Sequence, residues 1–462
     1  MKILKVIHGY PPTYNAGSEV YSQTLCHALA DAGHQVDVIT REENPFAKDF
    51  SYRQSFDVNH PNIRLHIINL LLERVRYAYN CDEVNAVCQQ IINSLRPDIV
   101  HIGHLNHLSI GIVTVVKSFN IPVIYTIHDF WLMCPRGQFI QRNSPTPWQL
   151  CDGQDDLKCA TKCYSGYYSG TRTDYDVDSD FWRQWISRRM SSVRNVCDKI
   201  DLFIAPSQAL IKRYVDEFGL PERKIAYIDY GFDIQRLKLR KRRQESVFVF
   251  GYIGTHIPAK GIDLLIRAFA EVVKNHQAVK LRIWGRSRDQ NTKALKKLAQ
   301  DLKVSSEQLI EWMPEYANHK LMDEVFNEVD VIVVPSIWQE NSPLVIHEAL
   351  QARVGVITAD FGGMGEYIKH RQNGWVFQHR SHQSLADVMH EVLTTNPASY
   401  QSIVDRGYLL SEDGHVIDIA DQAAYFTHLY QSLIYQNLSN KSDNSKSSKS
   451  SENNKKENLQ GV

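Results

Sequence analysis

Two carboxylates, Glu340 and Glu348, flank a predicted helix start in Pro335-Ser336-Ile337-Trp338-Gln339-Glu340-Asn341-Ser342-Pro343-Leu344-Val345-Ile346-His347-Glu348-Ala349. The run Val329–Val334 just before it is rich in β-branched residues and reads as a buried parallel strand. From Leu344 onward the pattern predicts a helix, with Asn341 or Ser342 as N-cap and Pro343 at its first position. A helix that starts at the carboxyl end of a parallel strand gathers free backbone N–H groups in one crevice, where open α/β sheets bind ligands. Asn341, Ser342 and Leu344 can each offer an N–H there; Pro343 cannot. Such a helix start attracts an anion.

A second stretch points to the same chemistry. Gly254-Thr255-His256-Ile257-Pro258-Ala259-Lys260-Gly261 follows the strand-like run Phe248–Ile253. Gly254 lets the backbone turn tightly beside a ligand, and Lys260 places a mobile ammonium near another helix N-terminus. A dipole end plus a point charge suits a diphosphate. Arg286, in Gly285-Arg286-Ser287-Arg288, is a further cation after a strand. In the first half, Val123–Ile127 delivers His128 to a strand end, and Pro11–Glu19, which contains Gly17, links the first strand to a helix.

Positioning these loops requires sheets. Strand-like runs alternate with helical patterns: Ile3–His8, Val36–Ile39, Ile63–Ile68, Asp98–Ile102, Val123–Ile127 and Leu202–Ala205, then Phe248–Ile253, Leu281–Trp284, Leu309–Trp312, Val329–Val334 and Val354–Thr358. That alternation implies βαβ units and parallel sheets covered on both faces. A chain of 462 residues exceeds one core and suits two domains. The charge run over residues 236–244 marks the linker; it reads either as a solvated connector or as a contact for an anionic membrane or phosphorylated acceptor. Residues 135–180, rich in Gly, Ser, Asp, Tyr and Cys, read as a long insertion, and residues 436–462 as a disordered tail. With 52 basic and 52 acidic residues, no bulk field argues for nucleic acid. No apolar run reaches membrane-span length and the first residues read as a strand, so a cytoplasmic protein is expected, with peripheral attachment at the inner membrane face as a variant.

The two glutamates in their Pro-Ser, Glu-Asn-Ser-Pro-Leu and Glu-Ala-Leu context resemble the signature of retaining glycosyltransferases of the GT-B fold, family four (glycosyl transferases group 1). The resemblance runs from about Lys2 to Phe377. It implies an α/β protein of two Rossmann-like doubly wound parallel-sheet domains facing across a cleft. Residues 1–235 would form the acceptor-side domain and 245–435 the nucleotide-sugar domain. It further implies that Glu348 accepts hydrogen bonds from a ribose diol, that Glu340 meets donor-sugar hydroxyls, and that His128, in a Thr-x-His-Asp element, hydrogen-bonds the donor sugar. Lys260, Gly254, Gly17 and the N–H groups of Asn341, Ser342 and Leu344 would lie against sugar or phosphate oxygens, and Phe361–Glu366 would form a glycine turn near the nucleotide. The chain departs from the family at Thr255, where many members carry arginine, and at Ala16, where a glycine is usual. Arg286 is the residue that could supply the missing cation.

The expected activity is therefore transfer of a hexose from a nucleoside-diphosphate sugar to a glycan or lipid-linked acceptor. Lys260 and a helix N-terminus would stabilise the departing diphosphate without a metal or other cofactor. A nucleotide-sugar epimerase or phosphorylase on a similar scaffold, and an inactive sugar-nucleotide-binding protein, are the alternatives. Cys134, Cys151, Cys159 and Cys163 fall in or beside the insertion, and the Cys159–Cys163 spacing allows two ligands on one metal. They are either free thiols or a structural zinc or iron–sulfur centre.

Overall fold

Strands that are apolar on both sides need cover on both faces, and the chain supplies it twice. The computed structural model describes residues 1–71, 78–143, 148–166, 175–241 and 247–457. The first sheet contains β1 (Lys2–Val6), β2 (Gln35–Glu42), β3 (Tyr52–Phe56), β4 (Arg64–Asn69), β5 (Ile99–Ile102), β6 (Val123–Thr126), β7 (Leu202–Ala205) and β8 (Ile225–Tyr227). Its order is β3-β4-β2-β1-β5-β6-β7-β8, parallel except where β3 pairs with β4. The second contains β9 (Phe248–Ile253), β10 (Val279–Trp284), β11 (Ile310–Trp312), β12 (Val331–Val334), β13 (Gly355–Ala359) and β14 (Trp375–Phe377), in the order β11-β10-β9-β12-β13-β14 and all parallel. In each sheet the winding direction reverses beside the first strand, between β1 and β5 and between β9 and β12. Crevices outside such reversals are where doubly wound sheets hold ligands. The loops leaving β1, β9 and β12 carry Gly17, Gly254–Lys260 and Glu340–Leu344 respectively. Three strands went unread in the sequence: β3, a polar edge strand of sequence YRQSF, and the three-residue β8 and β14.

The helix after β12 begins at Leu344 and ends at Gln351, with Pro343 in the cap position at φ −65°, ψ 116°. The predicted cap by Asn341 or Ser342 is therefore wrong by one to two residues. Both side chains are engaged elsewhere, Asn341 with Ser207 and Ser342 with Asp229.

The linker reading also needs correcting. Over residues 236–241 the chain is partly packed: Leu237 is 1% exposed, and Arg240 donates to the Val329 carbonyl (2.5 Å) and lies 3.4 Å from Asp330, while Lys238, Leu239 and Lys241 stay exposed. Residues 242–244 lie outside the described residues. The range 245–435 is not wholly second domain. The chain returns where Phe232 and Asp418 form a parallel bridge, and a last helix, Ile419–Glu457, packs on the first-domain helix Gly17–Asp31. Tyr430 hydroxyl meets His101 Nδ1 at 2.6 Å, and Thr427 meets His34 at 2.8 Å. That helix also carries the backbone through residues 436–457, where a disordered tail was expected; the stretch contains neither Gly nor Pro to stop it, and 458–462 lie outside the described residues.

The two domains are clasped around one buried carboxylate. Asp229 follows β8, where the chain crosses over, and is 2% exposed. Its Oδ2 accepts from His347 Nε2 (2.9 Å) and Tyr408 hydroxyl (2.5 Å), and its Oδ1 from Ser342 Oγ (3.2 Å) and Tyr367 hydroxyl (3.3 Å). All four partners belong to the second domain. Elsewhere on the seam, Glu366 accepts from the N–H groups of Gln208 (2.9 Å) and Ala209 (2.6 Å), so a second-domain acid caps the first-domain helix Gln208–Asp216. Trp338 and Ala259 are buried in the apolar cluster of the first domain.

Burial alone would raise the Asp229 pKa, but His347 and the hydroxyl donors outweigh it and hold the carboxyl below its ordinary value. The stabilisation from the charged form is therefore fully present above the unfolded value of about 3.9 and is lost as pH falls through the lower folded value. Asp229→Asn is expected to destabilise the protein by about 3–5 kcal/mol at neutral pH, because it removes the charge from a buried pair. Urea denaturation followed by tryptophan fluorescence checks this; an unchanged midpoint would show that the clasp contributes nothing.

Candidate functional site

At the carboxyl end of β12 the backbone delivers Glu340, 7% exposed, beside the turn that follows β9. Glu340 Oε1 accepts from Lys260 Nζ (2.6 Å), Ser336 Oγ (2.7 Å) and Trp338 Nε1 (2.8 Å). Among the described residues every protein donor to this carboxylate goes to Oε1. Two glycines make the arrangement sterically feasible. Gly261 sits at φ 67°, and a Cβ there would fall 2.0 Å from the Pro335 carbonyl oxygen, so only glycine lets the lysine turn lie against the glutamate loop. A Cβ on Gly363 would fall 1.2 Å from the Asn341 carbonyl oxygen, while its N–H donates to Glu340 O at 2.9 Å. The glycine turn expected beside a nucleotide is thus a brace beneath the Glu340 loop.

Asn341 carries the site across the seam. Its Oδ1 accepts from Ser207 Oγ (2.6 Å), and its Nδ2 donates to the carbonyls of Ile127 and His128, both at 3.3 Å. His128, at the end of β6, has Nδ1 2.6 Å from the Tyr230 hydroxyl, while the buried Nε2 has no hydrogen-bond partner. Burial pushes the imidazole pKa well below its usual value, with Lys5 and His104 adding to the effect, so the ring is neutral at physiological pH. A neutral ring with one free nitrogen can donate to or accept from a substrate hydroxyl.

Anion donors stand beside this pair. The N–H groups of Asn341 and Ser342 have no acceptor among the described residues, and Leu344 begins the helix. Gly17 faces that start from the first domain: a Cβ on it would lie 3.5 Å from Leu344 Cδ1. Glu348, one turn along, is half-buried. Burial raises its pKa, opposed by Arg236 and His347. Arg236 was read as linker charge, yet its Nε is buried without a hydrogen-bond partner. Arg286 lies 3.6 Å from Glu315 and is half-exposed.

Between the domains opens a cavity of about 1270 Å³. Gly254, Thr255, Arg286, Arg236 and Tyr316 line it from one side, and Asn15 and Glu19 from the other. Of the residues singled out in the sequence, Gly254 and Arg286 are in this wall. His128, Lys260, Glu340, Glu348, Gly17, Asn341, Ser342 and Leu344 are not part of the lining.

Some functional-looking groups were missed. Glu19 Oε1 lies 3.2 Å from His8 Nε2, the His8 and His104 rings meet at 4.5 Å, and His104 Nε2 lies 3.3 Å from Asp129. Burial opposes ionisation of Glu19, but its bonds to His8 and Ser18 hold it down to about 2. No local motif announces this chain of groups, because its members come from three segments: the connection from β1 into the helix Gly17–Asp31, the loop after β5 and the loop after β6. The acidic run Asp176, Asp178 and Asp180 has the alternation of a metal-binding element, yet it sits in the first two turns of the helix Tyr175–Cys197, with Asp178 bonded to Gly166 N–H and Asp180 to Arg183. It is not part of the seam site.

Comparison with known proteins bears on the family. The family model described as Glycosyltransferase Family 4 matches residues 16–236, and the one described as Glycosyl transferases group 1 matches residues 233–409. An uncharacterized 42.6 kDa protein from the cps region of Klebsiella pneumoniae is 24% identical over 79% of this chain and 87% of its own length. Glycogen synthase from Mycobacterium tuberculosis is 24% identical over 87% of this chain and 88% of its own. Among solved structures, HepE from Anabaena in complex with UDP and glucose superposes with a TM-score of 0.65 at 17% identity, over 94% of this chain and all of that one. Two family models matched in tandem, one on each sheet of a doubly wound pair, place the chain among the group 1, family 4 glycosyltransferases, enzymes of the GT-B fold.

Proposed function

We propose that the protein transfers a hexose, with retention of anomeric configuration, from a nucleoside-diphosphate sugar to a glycan or lipid-linked acceptor. The observation that carries this reading is the Lys260–Glu340 contact of 2.6 Å beside unpaired N–H groups at a helix start. The donor diphosphate lies against the N–H groups of Ser342 and Leu344 and within reach of Lys260. Glu348 takes the ribose diol, a charge-assisted pairing. Glu340 Oε2 and His128 Nε2 hold the hydroxyls of the sugar. The arginine usual at position 255 is absent, and Arg236 and Arg286 in the cavity wall supply positive charge in its place.

Negative charge grows on the diphosphate as the glycosidic bond breaks, and preorganised donors already aimed at it lower that barrier. No metal is needed for this step. The acceptor attacks from the face that the diphosphate leaves, and the departing phosphate takes the acceptor proton. The HepE structures hold UDP and UDP-glucose, so uridine-diphosphate sugars are the first donors to test. Incubation with a panel of radiolabelled nucleotide sugars is expected to release a nucleoside diphosphate and move label into an acceptor fraction. Interconversion of the sugar without transfer would establish an epimerase instead, and tight binding without turnover an inactive relative.

Lys260→Ala is expected to lower kcat about a hundredfold or more, with a smaller change in KM, because the lysine acts on charge that develops during reaction. A variant whose only defect is a higher KM would show that Lys260 merely binds.

Glu348→Gln is expected to weaken nucleoside-diphosphate binding by about 1.5–3 kcal/mol in calorimetry. The Glu348 pKa is raised, and the carboxylate is the form that accepts both hydroxyls. Affinity of the wild type should therefore fall with decreasing pH from above the ordinary glutamate value, and the variant should lack that limb. Equal affinity and equal pH profiles would remove Glu348 from the site.

A further inference from the structure

The structure brings Cys134, Cys151, Cys159 and Cys163 around one small cavity. Cys134, Cys159 and Cys163 are buried and Cys151 half-buried, and all four are unbridged. Cys159 ends the short helix Asp156–Cys159, and Cys163 lies in the π-helical turn Ala160–Tyr164 that continues it. Single π turns inside helices are uncommon and recur at functional sites. Cys134 lies a few residues beyond the end of β6, and the backbone N–H of Cys151 donates to Phe139 O at 2.7 Å. Arg136, Arg142 and Lys158 lie within electrostatic reach of these thiols.

We propose that Cys134, Cys151, Cys159 and Cys163 bind one structural zinc ion, which ties the inserted segment to the end of β6. Four sulfurs from four positions are the ligand set of a closed tetrahedral site, with no open position for substrate. The shared cavity is about 10 Å³, on the order of one water-sized sphere, which suits a single ion and not an iron–sulfur cluster. Among the described residues no three ligand-type side chains already stand in ligating geometry, so loading requires the thiols to turn inward. Each thiol gives up its proton as its sulfur binds the ion, and the four thiolates leave the site with a net charge of −2 that Arg136 and Arg142 offset, Lys158 being paired with Asp152.

The need for such a staple is visible in the segment itself. It buries Phe139, Ile140, Ala160 and Tyr164 in the first-domain core, but Asp152, Asp155 and Asp156 crowd its middle. Yet it reaches the second domain, where Arg380 Nη2 donates to Trp148 O at 2.8 Å, and it begins a few residues after His128. A fixed segment holds that end of the cleft in register.

The test is metal analysis of the full chain purified anaerobically without chelator. About one zinc per chain is expected, and reconstitution with cobalt(II) should give a thiolate-to-cobalt charge-transfer band. The double variant Cys159→Ser/Cys163→Ser should lose both, and Cys88→Ser, a buried cysteine outside the cluster, should keep both. If the double variant fails to fold, the wild-type zinc content and cobalt spectrum decide alone. Stripping the ion should lower Tm. Substoichiometric zinc, disulfides among the four cysteines, or an iron–sulfur chromophore would each overturn the proposal.

Discussion

The buried carboxylate of Asp229 sets where the two sheets stand relative to each other. It meets His347, Tyr408, Ser342 and Tyr367, and three of these lie in or next to elements that carry the site: Ser342 and His347 flank the helix start, and Tyr367 follows the glycine brace. Leaving a charge unpaired in such a place costs several kcal/mol, so the four partners and the acid constrain one another. Because Asp229 belongs to the crossover segment and its partners to the second domain, the interaction acts with the Glu366 cap and the packing of the last helix to set the width of the cleft. Gly17 can meet Leu344, and Asn341 can reach the end of β6, only at that width.

Within the cleft, each functional side chain is held by a neighbour with its own structural reason to be there. Glu340 is oriented by Ser336 and Trp338, and Trp338 is anchored in the first-domain core. Lys260 is presented by a turn that only a glycine at position 261 allows. His128 is backed by Tyr230, the residue after Asp229. Such support is what preorganisation requires: donors already in place do not reorganise when charge moves.

The legibility of this design was uneven, for physical reasons. Val331–Val334 was readable because a strand covered on both faces must be apolar throughout, and the helix after it because Pro343 ends one conformation and admits another. Lys260 and Glu340 were readable because each lies in a loop with glycine or proline punctuation. The strand β3 was not, since an edge strand open to water carries polar residues and loses the alternation that marks strands. Asp229 was invisible: its partner His347 lies 118 positions away, and nothing in Ile-Asp-Tyr-Gly distinguishes a clasp from a loop. Arg236 and Leu237 looked like linker because a short segment packed by its neighbours shows no periodicity of its own. The last helix misled because its apolar side, at Phe426 and Tyr430, serves the first domain and not the one that precedes it in sequence.

The central claim is that one seam between two domains holds the whole donor. A crystal structure of the protein with a bound nucleoside diphosphate tests it most directly. The account predicts the phosphates against the N–H groups at Ser342 and Leu344 with Lys260 in contact, and the ribose diol on Glu348. A nucleotide seated wholly within the first domain, or one whose ribose lies away from Glu348, would contradict it.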